Sequence, residues 1–291
     1  MNDLSVEEAE IENTDPPWFR VRAAFVHLYT ASGLVLALLI LVAAFQNEAT
    51  KALWLMFASL IIDSTDGLLA RRLRVSEALP FFDGALLDNI VDYMTYVFAP
   101  MVLLWSGGYL PEGTFGVMLA ALPLLASSYQ FCRVDAKTDD HFFLGFPSYF
   151  NVVAFYAIVF NVSAAVLSAV VVICSVLVFV PIRYVYPTRT VALRRLTLFL
   201  SGLWLMSYAA ILVQMPEGVE ALFLGFSVLY LFYYFGLSFY LSAKMLEERQ
   251  EQGGMESRDG RLRRAIRVRN RPKTFKHGPN ASLSDDSSLR R

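Results

Sequence analysis

Cysteine and histidine are scarce in this chain, which has 2 Cys and 3 His among 291 residues. Cys132 and Cys174 lie in or beside apolar segments and lack the close spacing of a zinc or redox motif. We interpret both as buried structural residues. The sequence thus argues against a metal or redox centre built on cysteine.

Charge is also sparse. Only 18% of the residues are charged, whereas 56% are hydrophobic and the mean hydropathy is +0.47. This composition is typical of a polytopic membrane protein. The acidic N-terminus lacks the basic start of a signal peptide, so we expect the first membrane helix to be retained.

Apolar runs recur that are long enough to cross about 30 Å of hydrocarbon as a helix of about 20 residues. We therefore predict an all-α fold, a polytopic membrane helix bundle with about eight transmembrane helices. The predicted spans lie near 23–45, 51–70, 85–106, 114–132, 147–161, 163–182, 195–213 and 220–243.

Basic residues are nearly absent from one side of this predicted topology. All of the 25 Lys and Arg residues except Lys51 fall on the same side if both termini are cytoplasmic. We expect residues 1–19 to be an acidic disordered N-terminus and residues 20–243 to be the membrane domain. Residues 244–291 are expected to form a basic, largely disordered cytoplasmic tail that binds anionic lipid, not nucleic acid.

Four acids interrupt the membrane segments: Asp63, Asp66, Asp88 and Asp92. An acid at the bilayer centre costs roughly 2.5 to 3.5 kcal/mol, so four unpaired acids would cost on the order of 10 kcal/mol. A cationic group must offset this cost. Identifying that group is the main functional question the sequence poses.

Helical periodicity places the acids on two faces. Asp63 and Asp66 share a face with two small residues, Gly67 and Ala70, and Arg71 lies at its edge. The small residues leave room for a ligand to approach closely. Helix packing by small residues with protonated acids is the structural alternative, but it does not account for the second acidic face.

That second face is formed by Gly84, Asp88 and Asp92, which follow one another in steps of four. We expect Asp83 to cap this helix. Two helices joined by a short connection pack antiparallel, which would bring the two acidic faces together. Arg71 supplies one positive charge, whereas two divalent cations, Mg²⁺ or Mn²⁺, would supply four and bridge to phosphate.

The spacing of these residues resembles the signature of the CDP-alcohol phosphatidyltransferase family, integral membrane enzymes of phospholipid synthesis. Twelve residues separate Arg71 from Gly84, more than in most of the family, and this gap is similar to that of the bacterial phosphatidylcholine synthases. The resemblance implies transfer of the phosphatidyl group from CDP-diacylglycerol to choline, with release of CMP. It also implies a bacterial inner membrane location with the active site facing the cytoplasm.

The resemblance assigns roles to individual residues. Asp92 is the expected general base, and the four acids are the expected metal ligands. The CDP part is expected to contact Thr30, Gly67, Ala70, Arg71 and Gly84.

Aromatic residues beside the predicted spans have two possible roles. They anchor the chain at the membrane interface, or they form a cage for the quaternary ammonium of choline through cation–π contacts. The candidates for the cage are Tyr93, Tyr129, Phe142, Phe143, Phe146 and Tyr149.

Other functions stay open at this point. The same chemistry with serine, inositol or glycerol phosphate as acceptor would leave the acidic stretch unchanged. A membrane prenyltransferase also binds diphosphate through Asp-rich helices, and an ion transporter would use the acids as a coupling site. A homodimer is a further possibility.

Overall fold

The computed structural model describes residues 17–136, 138, 142–187 and 190–269. The chain divides into two compact units between Ser242 and Ala243. The predicted disordered N-terminus lies outside the described residues up to residue 16, as does the tail from residue 270. The helices are α1 (Pro17–Phe45), α2 (Ala49–Arg72), α3 (Val75–Ala78), α4 (Gly84–Asp92), α5 (Ala99–Ser106), α6 (Gly113–Cys132), α7 (Phe150–Val159), α8 (Ala164–Leu177), α9 (Arg194–Gln214) and α10 (Ala221–Arg269).

The protein is a multi-pass membrane protein. Within the described ranges, five helices are long and apolar enough to cross a membrane. These segments are Trp18–Phe45, Ala49–Arg72, Gly113–Cys132, Arg194–Gln214 and Ala221–Met245.

The remaining three predicted spans look different. The third is α4 and α5 joined by a π-helical segment, Tyr93–Phe98. The fifth and sixth are α7 and α8, which have only 10 and 14 residues. A helix of ten residues rises about 15 Å, half the hydrocarbon thickness. Eight full spans and cytoplasmic termini therefore stay predictions.

A small antiparallel sheet departs from the all-α prediction. Strands β1 (Phe142–Leu144) and β2 (Arg183–Val185) pair with Phe143 opposite Tyr184. Both lie in segments that we expected to be loops. Hydrogen bonds between these two segments satisfy backbone N–H and C=O groups that would otherwise need water as their partner near the membrane.

The connection between the two acidic helices is folded. Its short helix α3 packs Val75 and Ala78 against Ala23 and Val26 of α1. Asp83 then caps α4 by accepting a hydrogen bond from the backbone N–H of Leu86 at 2.9 Å, as predicted. The cap and the apolar contact fix where α4 begins.

Candidate active site

A cavity of about 1720 Å³ contains all four acids of the sequence motif. It is lined by residues of α1, α2 and α4 and by the side chains of Arg71 and Arg74. Aromatic residues also line it, among them Phe143, Tyr149, Tyr186 and Tyr234, which we call the aromatic end, and so do apolar residues of α7, α9 and α10. A cavity with both charged and apolar lining suits an amphipathic ligand.

Three of the acids converge. Oxygens of Asp63, Asp88 and Asp92 lie within 4.8 Å of one another. Hard divalent cations bind oxygens at about 2.0–2.6 Å, so oxygens around one ion lie at most about 4–5 Å apart. The three carboxylates therefore fit one ion such as Mg²⁺ or Mn²⁺ as they stand.

The fourth acid, Asp66, is held differently. It is buried, and its Oδ2 accepts a hydrogen bond from the hydroxyl of Thr30 at 2.9 Å. One residue earlier on each helix, the hydroxyls of Tyr29 and Thr65 are 2.8 Å apart. Tyr29 and Thr30 of α1 thus bond to α2 beside the acids, and Thr30 itself also lines the cavity.

Arg71 is accommodated by the motif glycine that precedes it. A Cβ on Gly67 would lie 3.2 Å from Nη1 of Arg71, so glycine leaves space for the guanidinium. Ala70 and Arg71 both line the cavity, whereas Arg72 does not. This arrangement agrees with the predicted helical faces.

The second motif glycine lies against a histidine. A Cβ on Gly84 would lie 2.7 Å from Cε1 of His27, whose ring packs on Phe82 with centroids 4.3 Å apart. Gly84 therefore permits a close approach between α4 and α1. His27 and Phe82 also line the cavity, and sequence reasoning did not assign them to the site.

The six aromatic candidates divide into two groups. Phe143, Phe146 and Tyr149 line the cavity, but the other three do not. Tyr93 donates a hydrogen bond to the Leu124 carbonyl at 3.1 Å.

The remaining two aromatic candidates also point elsewhere. Tyr129 is half exposed, lies under the guanidinium of Arg133 and packs against Phe179. Phe142 is buried in the small sheet. These three rings were grouped with the site because of their position in the sequence, but their side chains face other partners.

Sequence reasoning missed five further tyrosines of the cavity, namely Tyr96, Tyr156, Tyr186, Tyr230 and Tyr234. Tyr96 donates a hydrogen bond to Oδ2 of Asp63 at 2.5 Å and is buried. Tyr186 and Tyr234 line the aromatic end. Tyr96 follows Asp92 by four residues, as Asp92 follows Asp88, but in a regular α-helix two such steps rotate a side chain about 80° away from Asp88.

The fold and the acidic site define a membrane enzyme of the phosphatidyltransferase type. Residues 26–240 match the family model described as CDP-alcohol phosphatidyltransferase, and the chain belongs to that family. It is 44% identical to phosphatidylcholine synthase of Legionella bozemanae over 207 residues, which are 69% of this chain and 94% of the relative.

Two other relatives carry the same name. The phosphatidylcholine synthase of Legionella pneumophila is 42% identical over 225 residues, covering 75% of this chain and 88% of the relative. That of Pseudomonas aeruginosa is 35% identical over 228 residues, covering 78% and 95%. Residues 26–240, which match the family model, contain the four acids and the aromatic end of the cavity.

Proposed function

We propose that the protein is a phosphatidylcholine synthase, which transfers the phosphatidyl group of CDP-diacylglycerol to choline and releases CMP. The observation that carries this proposal is the single cavity that joins three converging carboxylates to an aromatic end. The names of the relatives point to the same reaction. The site would face the cytoplasm at the inner membrane, where CDP-diacylglycerol and choline meet.

The charged end of the cavity supports binding of the nucleotide diphosphate. Arg71 lies beside the acids and offers donors in the fork geometry that suits phosphate oxygens. Gly67, beside Arg71, and Gly84, beside His27, also line the cavity and are proposed contacts of the CDP part. Divalent ions held by the acids would neutralise the diphosphate and polarise the phosphorus under attack.

Asp92 is the proposed general base. One of its carboxylate oxygens takes the proton of the choline hydroxyl while the hydroxyl oxygen forms a bond to the phosphorus that carries diacylglycerol. The bond from that phosphorus to the bridging oxygen breaks, and CMP leaves. Tyr96 orients the Asp63 carboxylate through its hydrogen bond, so this ligand is positioned before substrate binds.

The apolar part of the cavity suits the lipid portion of the donor. Val152, Ala157, Phe160 and Leu167 line it, and these side chains make no polar demand on acyl chains. A water-soluble diphosphate donor has no acyl chains that could bind to this apolar surface. The cavity therefore favours a lipid-linked donor.

The distribution of charge favours a cationic acceptor. Among the described residues that line the cavity, the arginines are Arg71 and Arg74, at and just after the C-terminal end of α2, the histidine is His27, beside Gly84, and no lysine is included. Glycerol phosphate would require a basic pocket of its own, and serine would require a partner for its carboxylate. The aromatic end instead presents ring faces, which attract a cation that has no N–H groups.

The direct test is CMP release by purified protein in detergent with CDP-diacylglycerol. Choline, serine, inositol and glycerol phosphate are compared as acceptors, with Mg²⁺, with Mn²⁺ and with a chelator. We expect release with choline only, and only with metal. Metal-dependent release with serine but not choline would overturn the acceptor assignment, and no release with any alcohol would overturn the transferase.

Asp92→Asn tests the role of the base. We expect turnover to fall by at least about 100-fold, the usual scale of general base catalysis, while CDP binding persists. Asp135→Asn is the matched control, because Asp135 pairs with Arg133 outside the cavity. Loss of CDP binding in Asp92→Asn would make Asp92 chiefly a ligand.

The basic tail and the oligomeric state are further proposals. We infer that residues 244–291 bind anionic lipid through their excess of Lys and Arg. A homodimer stays a proposal, and crosslinking in native membranes would test it.

A further inference from the structure

The two segments that follow α6 and α8 are tied into one unit at the aromatic end of the cavity. Besides the β1–β2 ladder, the Gly145 N–H donates to the Ile182 carbonyl at 2.8 Å. Gly145 has φ of +86°, and an added Cβ would meet the Val178 carbonyl oxygen. The turn after β1 therefore requires glycine and brings the two segments into close contact.

This unit is also fixed to α10. The hydroxyls of Ser238 and Ser242 accept hydrogen bonds from the backbone N–H groups of Val185 and Arg183, at 3.0 and 3.2 Å. Tyr234 donates to the Val185 carbonyl at 3.1 Å. Three side chains of one helix thus hold β2 in place, and the residue that follows β2 has a defined position.

That residue is Tyr186, whose ring stacks on Phe143 with centroids 4.5 Å apart and planes at 29°. Both rings line the cavity. Their neighbours in the sheet, Phe142 and Tyr184, are instead buried and do not line it. The register places Phe143, Tyr184 and Tyr186 on one face of the sheet and Phe142 on the other. Along the first face, Phe143 and Tyr186 reach the cavity, whereas Tyr184 packs in the core against Phe146.

A row of rings connects this pair to the acids. Tyr96, bonded to Asp63, lies edge-on to Tyr149 with centroids 6.0 Å apart. Tyr149 also lies 6.3 Å, centroid to centroid, from Tyr234, which donates to the carbonyl of Val185, the residue before Tyr186. Tyr149 therefore links the carboxylates to the residues around Tyr186.

Choline places two demands on such a site. Its nitrogen is only two carbons from the reacting hydroxyl, so the cation must bind directly beside the carboxylates. Its nitrogen carries no hydrogen, so ring faces and nearby negative charge must replace hydrogen bonds. The rings between Asp63 and β2 meet both demands.

On the basis of the function proposed above, we propose that Phe143, Tyr149 and Tyr186 bind the trimethylammonium group of choline. Tyr186 is the new assignment and determines acceptor specificity through its ring face. Tyr234 is a positioning residue, because it orients β2 through the Val185 carbonyl.

The test is a kinetic comparison of Tyr186→Leu and Tyr186→Phe. Leucine keeps apolar bulk but removes the ring face, so we expect the KM for choline to rise about tenfold. Phenylalanine keeps the face, so we expect a change of less than about twofold. The KM for CDP-diacylglycerol should stay unchanged in both. Tyr129→Leu is the matched control, since it removes a tyrosine ring outside the cavity.

Several outcomes would overturn the cage. Equal changes in the KM for choline in Tyr186→Leu and Tyr186→Phe would do so. A parallel rise of the KM values for choline and for CDP-diacylglycerol would also do so, as would an unchanged KM for choline in Tyr186→Leu when the wild type uses choline. Inactivity of the wild type with choline would instead refute the proposed function, together with the cage.

A second measurement on the wild type does not depend on the folding of a variant. The uncharged isostere of choline, in which a tert-butyl group replaces trimethylammonium, is compared with tetramethylammonium as a competitive inhibitor. We expect the cation to bind at least about tenfold more tightly. Equal inhibition would show a merely apolar pocket and overturn the proposal.

Discussion

Replacing Thr30 by valine is a clear test of how the first helix supports the acids. Valine has nearly the shape of threonine but cannot donate the 2.9 Å hydrogen bond to Asp66. Both residues are buried, with 6% and 5% of their surfaces exposed. A hydrogen bond to a charged group contributes about 1.5–3 kcal/mol. Because 1 kcal/mol shifts the Tm of a chain of 150–250 residues by about 2–4 °C, we expect the Tm to fall by roughly 5 °C.

The assay is thermal unfolding in detergent, together with the KM for CDP-diacylglycerol. Thr30→Ser restores the hydroxyl and should recover most of the loss. Ser32→Ala is the control on the same helix, since the Ser32 hydroxyl donates to the Tyr29 carbonyl of its own helix. A Thr30→Val protein with the Tm and KM of the wild type would refute the reasoning, because the bond would then contribute nothing to the site.

The two motif glycines should respond differently to alanine. At Gly84 the new Cβ would lie 2.7 Å from His27 Cε1, well inside the normal carbon contact of about 3.5–4.0 Å, so we expect a loss of about 1–3 kcal/mol, measured as a lower Tm. Gly225→Ala, which meets nothing within 4 Å, is the control and should leave the Tm unchanged or higher. At Gly67 the Cβ would meet only the flexible end of Arg71, at 3.2 Å, so we expect the KM for CDP-diacylglycerol to rise several-fold with little change in Tm. The same response at both glycines would contradict this distinction.

Much of the acidic site could be predicted because it depends on helical periodicity. Steps of three and four residues place Asp63 beside Asp66 and Asp88 beside Asp92, and a short connection brings the two helices together. The structure confirms that three of these acids converge. The role of Thr30 could not be derived from the local sequence, because nothing there shows that Thr30 on α1 faces Asp66 on α2.

The aromatic residues could not be sorted in this way. Phe142 and Phe143 are adjacent and chemically identical, yet one is buried in the core and the other lines the cavity. The difference arises from strand pairing between segments about forty residues apart along the chain, and such pairing leaves no local periodic signal in three-residue strands. Tyr186 was missed for the same reason.

Tyr96 was missed for a different reason, which concerns how its helix is wound. In a regular α-helix each step of four residues advances about 40° beyond a full turn, so a side chain two steps after Asp88 would have rotated about 80° away from it. Pro100 follows Tyr96 by four residues. It cannot donate to the Tyr96 carbonyl, and its ring would clash with that carbonyl in an α-helix. The chain is π-helical from Tyr93 to Phe98, which winds more residues into each turn and reverses the drift.

The consequence of this winding is that Tyr96 returns to the side of the acids and bonds to Asp63. Pro100→Ala should relieve the clash and permit regular α-helical winding, which would rotate Tyr96 away from Asp63. We expect lower kcat with unchanged or higher Tm, because alanine favours the helix while the carboxylate loses its donor. Tyr96→Phe should lower kcat similarly if the hydrogen bond is what matters. The double variant should then show no further loss of kcat. If the two losses of kcat add instead, the π-helical segment does not act by positioning Tyr96 beside Asp63.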